Sequence, residues 1–320
     1  MREGGFTAGL SPDAVKTSID AVAYEEYTRE QQPGYLSALD SFFFKTDAID
    51  KLAFIWDEDS NVGEFQITAE QEEILDTNSF IGNKTTKSVI KYTKQIPISD
   101  EAFRTDQHSK RAQIGKNVGD RARQTQDKQA ILNTYADGFA GSINTTPDGQ
   151  ALYSNSHTTL TGVNVDNFET GALTADNAWT LAVSLASQKA QDGDAGSHVL
   201  EAVVVPFTLY KTAKEVFNSV LISGSAENNL NIFDTDYGNL MIRGSIFLGS
   251  QYNSNSNANT SYHFLGRNHM IMRKTLYGLT TTMINPEYTD NDTWLLRAKF
   301  AEVAFPGSWT ATAGSNGSTN

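Results

Sequence analysis

The longest uninterrupted periodic pattern in the chain runs from Ser109 to Asp137, with no proline in the stretch. Ile114, Val118, Ala122, Thr125, Gln129, Leu132 and Ala136 recur at steps of three and four and draw one stripe down an α-helix. On its other side Lys116 precedes Asp120 and Arg123 precedes Asp127 by four residues. Such exposed pairs are worth about 0.2–0.5 kcal/mol each, base-before-acid being the weaker order. At 1.5 Å per residue the helix would be about 43 Å long, well beyond the usual globular helix of about 11–12 residues. Gly115 and Gly119 interrupt the stripe at roughly 1 kcal/mol each relative to alanine. The pattern predicts a strut lying across a sheet rather than the centre of a core.

Before the strut, Ser11-Pro12-Asp13 can open a short helix carrying Val15, Ile19, Val22 and Tyr24, which Gln31-Gln32-Pro33-Gly34 stops. Leu36, Leu39, Phe42, Phe43 and Phe44 then form a dense apolar knot. This arm, residues 1–50, is either part of the subunit's own core or a segment that docks on a neighbour. Residues 51–98 alternate like the limbs of a long hairpin, through Val62–Ile67 and then Ile90, Tyr92, Ile96 and Ile98. Residues 99–170 hold the strut and a loop-rich stretch with a turn at Pro147-Asp148-Gly149. Thr174 caps a predicted helix to Gln191 that uses Ala178, Leu181, Ala182 and Leu185. Val199–Val205 is a buried strand stopped by Pro206, followed by a helix through Phe207, Tyr210, Ala213, Val216 and Phe217. Strands at Leu240–Leu248 and Tyr262–Leu265 complete a small α/β layer over 171–277. In 278–309 a strand with Trp294, Leu296, Ala298 and Phe300 on one face returns to pack beneath the strut. Residues 310–320 are expected to be a disordered tail.

Composition narrows the class. Hydrophobic residues make up 39% of 320, with a surplus of Asn, Thr, Ser and Gln, as suits an extended protein with much loop surface. A net charge of −13 argues against generic attraction to phosphates or anionic membranes. The absence of cysteine rules out disulfides and thiolate metal sites. With neither a signal core nor a run of 18 apolar residues, the expectation is a soluble protein made in a cytosol, with no membrane partner.

Charge is concentrated in the hairpin. Asp57 to Asp76 carries acids, including Glu64, Glu70, Glu72 and Glu73, and no base; Lys84, Lys87, Lys91 and Lys94 follow without an acid between them. Either the limbs neutralise each other, at about 0.2–1 kcal/mol per exposed pair, or they meet complementary surface on adjacent copies. The second account is preferred, because a long hairpin with little core of its own is marginal alone. Lys110, Arg111, Lys116, Arg121, Arg123 and Lys128 make the strut locally positive. They form either a salt-bridged, solvated face or a surface turned toward a packaged polyanion.

Catalytic signals are weak. Ser154, Ser156 and His157 invite a soluble two-domain α/β hydrolase as the alternative function, but a triad is made by geometry and no Gly-x-Ser-x-Gly elbow is present. The five histidines avoid zinc spacing, and Asp57-Glu58-Asp59 lacks the glycine and distal glutamate of an EF-hand loop. No enzyme activity, metal or cofactor is expected.

The order of these parts resembles the HK97-type major capsid protein of tailed bacteriophages, across about residues 20–305. Asp148-Gly149-x-x-Leu152-Tyr153-Ser154-x-x-His157 resembles the segment after the spine helix of Mu-like major head subunits. Lys91-Tyr92-Thr93-Lys94-Gln95-Ile96-Pro97-Ile98-Ser99-Asp100-Glu101 resembles the strand leading into that helix. The resemblance implies an α+β, HK97-like capsid fold: an N-arm, an E-loop hairpin, a P-domain of spine helix plus sheet, and an α/β A-domain. It also implies hexamers and pentamers closing into an icosahedral shell around double-stranded DNA, assembled in a bacterial cytoplasm. Expected partners are other copies, a separate scaffolding protein, a portal, decoration proteins and non-specifically held DNA. The E-loop acids and lysines would then lie at subunit contacts, with Arg111, Lys116, Arg121 and Arg123 facing the lumen.

Overall fold

Helix α2 (Lys110–Ile131) is the predicted strut, and it passes without a break into a π-helical turn over Leu132–Ala136. The computed structural model describes residues 12–29, 34–58, 82–99, 110–220, 230–285 and 293–318. The two glycines that thin the stripe of α2 prove to be its contact surface. Helix α1 (Pro12–Thr28) lies directly on them. A Cβ at Gly115 would stand 2.8 Å from the Ile19 carbonyl oxygen, and one at Gly119 only 2.2 Å from that of Ala23. Only glycine permits this approach of two backbones. Ile19, Ala23 and Val118 thereby join Ile98, Trp294, Leu296 and Ala298 in one apolar layer. The arm is thus built into its own subunit, and Leu36, Phe43 and Phe44 are likewise buried in it.

One face of α2 departs from expectation. Arg123 and Asp127, predicted as an exposed pair, are buried and lie 3.9 Å apart. The chain after α1 covers them: the Ser37 hydroxyl and the Ala38 N–H both donate to Asp127 Oδ1, at 3.0 and 2.7 Å. Beside them Arg273 reaches Glu302 at 2.7 Å, and Gln126 donates to the same carboxylate at 2.6 Å. Each of these buried side chains has an ionic or hydrogen-bonded neighbour, although Arg123 Nε and Gln126 Oε1 themselves make no hydrogen bond.

Beneath the helices lies a four-stranded sheet. Its strands are β1 (Lys45–Ala48), β4 (Ile90–Ser99), β11 (Ile271–Ile284) and β12 (Thr293–Pro306), in the order β1-β11-β12-β4. Strand β12 pairs antiparallel with both long neighbours and buries Trp294, Leu296, Ala298 and Phe300 on the predicted face. Strand β11 begins inside the stretch read as the α/β layer, yet it belongs to this sheet. A second sheet, ordered β7-β13-β10-β8-β9, is the α/β layer itself. It comprises β7 (Phe168–Glu169), β8 (Leu200–Pro206), β9 (Met241–Ser245), β10 (Tyr262–Gly266) and β13 (Thr312–Ser315). Helices α3 (Ala175–Ala186) and α4 (Tyr210–Asn218) pack on one face of it around Leu181, Leu185, Val203, Phe217 and Phe264. Thr174 caps α3 by accepting from the Asn177 N–H.

Strand β13 corrects the expectation of a disordered tail. Trp309, Ala311 and Ala313 are fully buried, and β13 pairs on one side with β10 and on the other with β7. Small residues at Ala311, Ala313 and Gly314 look featureless in sequence, but they let a strand slide between two layers. A Cβ on Gly314 would stand 2.7 Å from the Tyr153 ring.

Candidate assembly surfaces and the hairpin root

The hairpin begins as β2 (Ala53–Asp57), antiparallel to β3 (Lys84–Ser88). Alternation turns Phe54 and Trp56 inward onto Phe305, with ring centroids 5.8 and 5.6 Å apart, and the Trp56 indole donates to the Gly307 carbonyl at 2.9 Å. Its outward side leaves Ile55 67% exposed, flanked by Leu52 at 67% and Ile90 at 45%. The predicted lysine limb is divided between two sheets. Ser88 ends β3, the Val89 N–H bonds back to Leu52, and Ile90 starts β4 along the edge of the four-stranded sheet.

This division gives the four lysines different environments. Lys84 stands opposite Asp57 and pairs with it at 3.3 Å, both side chains more than half exposed. Here the limbs do neutralise each other, with the small return of an exposed pair. Lys91 and Lys94 lie exposed on β4. Lys87 is buried, and this corrects its reading as a contact charge. Its ammonium donates to Asn144 Oδ1 at 3.4 Å and to the Thr145 carbonyl at 3.2 Å, and lies 5.5 Å from the Phe305 ring centre. Burial lowers its pKa. Glu64, Glu70, Glu72 and Glu73 lie outside the described residues.

Glu58, where the described part of the hairpin ends, is an acid turned into the body. Its N–H donates to Asn83 O at 3.0 Å, and its carboxyl Oε1 accepts from Gln191 Nε2 at 2.6 Å and Ser308 Oγ at 2.5 Å. Gly82 makes room for it, since a Cβ there would lie 1.9 Å from the Glu58 carbonyl oxygen. Burial pushes the carboxyl up to about 7; the Ser308 bond opposes this, the charge of Asp148 adds to it, and the Gln191 bond opposes it again.

The basic positions of α2 also separate. Lys116 reaches Glu26 of α1 at 3.6 Å, and exposed Arg121 donates to Gln124 at 2.8 Å. Arg123, placed on the lumen side in the sequence reading, is buried against Asp127 and is withdrawn from any such surface. The side chain of Arg111 lies outside the described residues.

The serine–histidine stretch has no catalytic geometry. Ser154 and Ser156 share a 3.0 Å hydroxyl contact with each other. Both ring nitrogens of His157 are otherwise engaged: Nδ1 with Asp148 Oδ2 at 2.7 Å, and Nε2 with the Leu152 carbonyl at 3.2 Å. The ring is fully buried and stacked on Trp309, 5.1 Å between centroids. No nitrogen is left to activate a hydroxyl. Instead the segment is a staple. Burial alone would raise Asp148, but the hydrogen bond and charge of His157, with bonds from Thr146 and the Gln150 N–H, hold its carboxyl below the usual range.

Sequence reasoning missed Asn167, Gln188 and Ser308. Asn167 accepts from the Ser154 N–H and donates to the carbonyls of Leu152 and Thr312. Gln188 accepts from the Ala311 N–H and donates to the Thr312 carbonyl. Single amides carry no sequence period; a tryptophan at 309, immediately before the supposed tail, was the available signal. Among the described residues no cluster of His, Asp and Glu could hold a metal, and no helix is long and apolar enough to cross a membrane.

A family model described as phage capsid protein matches residues 83–315. The fold is similar to that of a virus-like particle from Pyrococcus furiosus, at 9% identity and TM-score 0.54, covering 93% of this chain and 98% of that one. It is similar to the capsid of Ralstonia phage GP4 at 11% identity and TM-score 0.54, covering 90% and 94%. For the capsid of Myoviridae phage XM1 the values are 10% and 0.50, again covering 90% and 94%. No curated protein matches the sequence.

Proposed function

The chain belongs to the phage capsid protein family and is a structural capsid protein of HK97-like fold, and from that premise we propose how its copies meet. Hexamers and pentamers of it close into an icosahedral shell around double-stranded DNA. The 51–98 hairpin lies over a neighbouring copy, and the A-domain turns toward the capsomer axis. The observation that carries this reading is the hairpin root. It is a two-stranded ribbon held to its own body by one face, with Ile55, Leu52 and Ile90 uncovered on its outer side and flank. A ribbon of two strands is marginal alone, and a second copy would cover what the first leaves bare.

On this reading Lys91 and Lys94, with Lys84 competing against its own Asp57, meet Glu64, Glu70, Glu72 and Glu73 of the adjacent copy. Lys116 and Arg121 are the exposed cations of α2 left to face packaged DNA through its phosphates. The Asp148-Gly149 to His157 stretch supports placement among Mu-like major head subunits. A separate scaffolding protein, a portal and decoration proteins complete the proposed partners, with assembly in a bacterial host cytoplasm.

The test is the triple charge reversal Lys84→Glu, Lys91→Glu and Lys94→Glu, leaving buried Lys87 untouched. Negative-stain images and sizing columns should show folded subunits in place of particles. Particles of unchanged form and yield would remove the hairpin lysines from the interface. A concentration-independent 35 kDa monomer from the wild-type chain would remove shell assembly itself.

A further inference from the structure

We propose that Glu58 is a protonation-dependent pin that fastens the root of the hairpin to the body of its own subunit. One side chain joins three separate pieces of chain: the hairpin, the turn after α3 through Gln191, and the turn after β12 through Ser308. Both donors converge on Oε1, while Oε2 is out of water and makes no close hydrogen bond, the Asn83 side chain being the one further group that favours its charge, as the smallest of the influences. A carboxylate with one bare buried oxygen is the expensive form of this group. The neutral acid keeps Oε1 as acceptor for both bonds and carries no charge into the interior.

The surrounding charges push the same way. Asp148, bonded to His157 of the loop after α2, adds a negative charge on one side. Asp192 and Asp194 follow Gln191 in the sequence of the turn after α3. The nearby cations are engaged elsewhere: Lys84 with Asp57 on the hairpin surface, and Lys87 with Asn144 and Thr145. The turn carrying Ser308 has no titratable side chain between Gly307 and Thr310. Among the described residues no base forms an ion pair with Glu58. Burial places its titration near 7, so ordinary changes of pH cross it. Below that value the root is pinned; above it, keeping an ionised Glu58 out of water costs more than the Ser308 and Gln191 bonds return, and the closed root loses ground to an open one in which the carboxylate is hydrated.

Hydrogen–deuterium exchange on the purified full-length protein tests this, with intrinsic rates corrected for pH and β12 amides as the internal reference. Protection of residues 54–58 and 83–88 should fall at least tenfold, relative to β12, as pH rises from 4.5 to about 7, and level off above that. Glu58→Gln, which keeps the Oε1 acceptor without a charge, should hold the low-pH protection throughout. Ser308→Ala should lower protection at pH 5.5. A flat wild-type profile, or a pH dependence in Glu58→Gln equal to that of the wild type, would overturn the pin. The wild-type profile decides the matter even if a variant does not fold. Because the readout lies within one subunit, its failure leaves the proposed shell contacts standing.

Discussion

Gly119→Ala sets local and tertiary physics against each other. In the interior of an exposed helix the change would stabilise by about 0.8–1.0 kcal/mol, the propensity difference between the two residues. Here the added Cβ would lie 2.2 Å from the Ala23 carbonyl oxygen and 3.0 Å from both the Ala23 carbonyl carbon and Glu26 Cβ. The first obstacle is backbone and cannot rotate away, so α1 must retreat from α2. A radial gap of about 0.5–1 Å forfeits a quarter to a half of each dispersion contact on its lining. Ile19 and Ala23, both buried at that seam, bear the loss. Overpacking of this kind costs about 1–3 kcal/mol, which after the propensity gain leaves a net destabilisation of up to about 2 kcal/mol. At about 2–4 °C per kcal/mol this lowers Tm by up to about 4–8 °C. Gly115→Ala, with its nearest backbone oxygen at 2.8 Å, should cost less, and Gln113→Ala on the exposed side should be near neutral. Melting by near-ultraviolet circular dichroism ranks the three. A Gly119→Ala protein that melts at or above the wild type would show that α1 is not seated on this glycine.

Asp148→Asn tests the staple through its pH dependence. The folded carboxyl lies below its ordinary 3.8, so its stabilising effect is present above 3.8 and is lost as pH falls through the lower, folded value. Asp148→Asn should therefore be less stable than the wild type at pH 7, with the difference shrinking in denaturant titrations as pH drops below 3.8; a constant difference would refute the charge argument. Truncation after Trp309 removes β13 and the backbone partners of Gln188 and Asn167. The A-domain should lose its fixed near-ultraviolet signal, whereas a disordered tail could be cut with no change in melting.

The strut, the capped helix α3, the buried strand β8 and the return strand β12 were legible because each has a clean period and a terminator. Strand β11 was not. Its pairing with β12 shifts between Thr275 and Tyr277 and again between Tyr277 and Thr280, so its alternation is broken twice and its Thr-rich surface reads as loop. The buried face of α2 was misjudged for another reason: Arg123 and Asp127 look exposed by residue type, and only the passage of Ser37 and Ala38 over them makes them interior. The hairpin lysines show the same limit. Four similar residues at steps of three and four gave no hint that a sheet change at Val89 would bury one, pair one and leave two exposed.

Tertiary wiring, unlike these elements, converges on a segment with no pattern at all. Gly307 accepts from Trp56 of the hairpin, and Ser308 donates to Glu58 two residues further along it. Trp309 stacks on His157 of the staple, Ala311 is held by Gln188 after α3, and Thr312 by Asn167 before β7. The hairpin, the loop after the strut and the A-domain sheet therefore share one short turn between β12 and β13. Interiors of this density transmit displacement rather than absorb it. A movement of the hairpin that breaks the Glu58 junction must consequently be felt at β13, and a shift of the A-domain sheet must be felt at the hairpin. A subunit whose described residues form four hydrophobic clusters can change shape as a unit only if junctions link them. Segment 307–312 is one such link, beside the cluster in which Ile131, Ala304, Val204 and Leu265 already pack together.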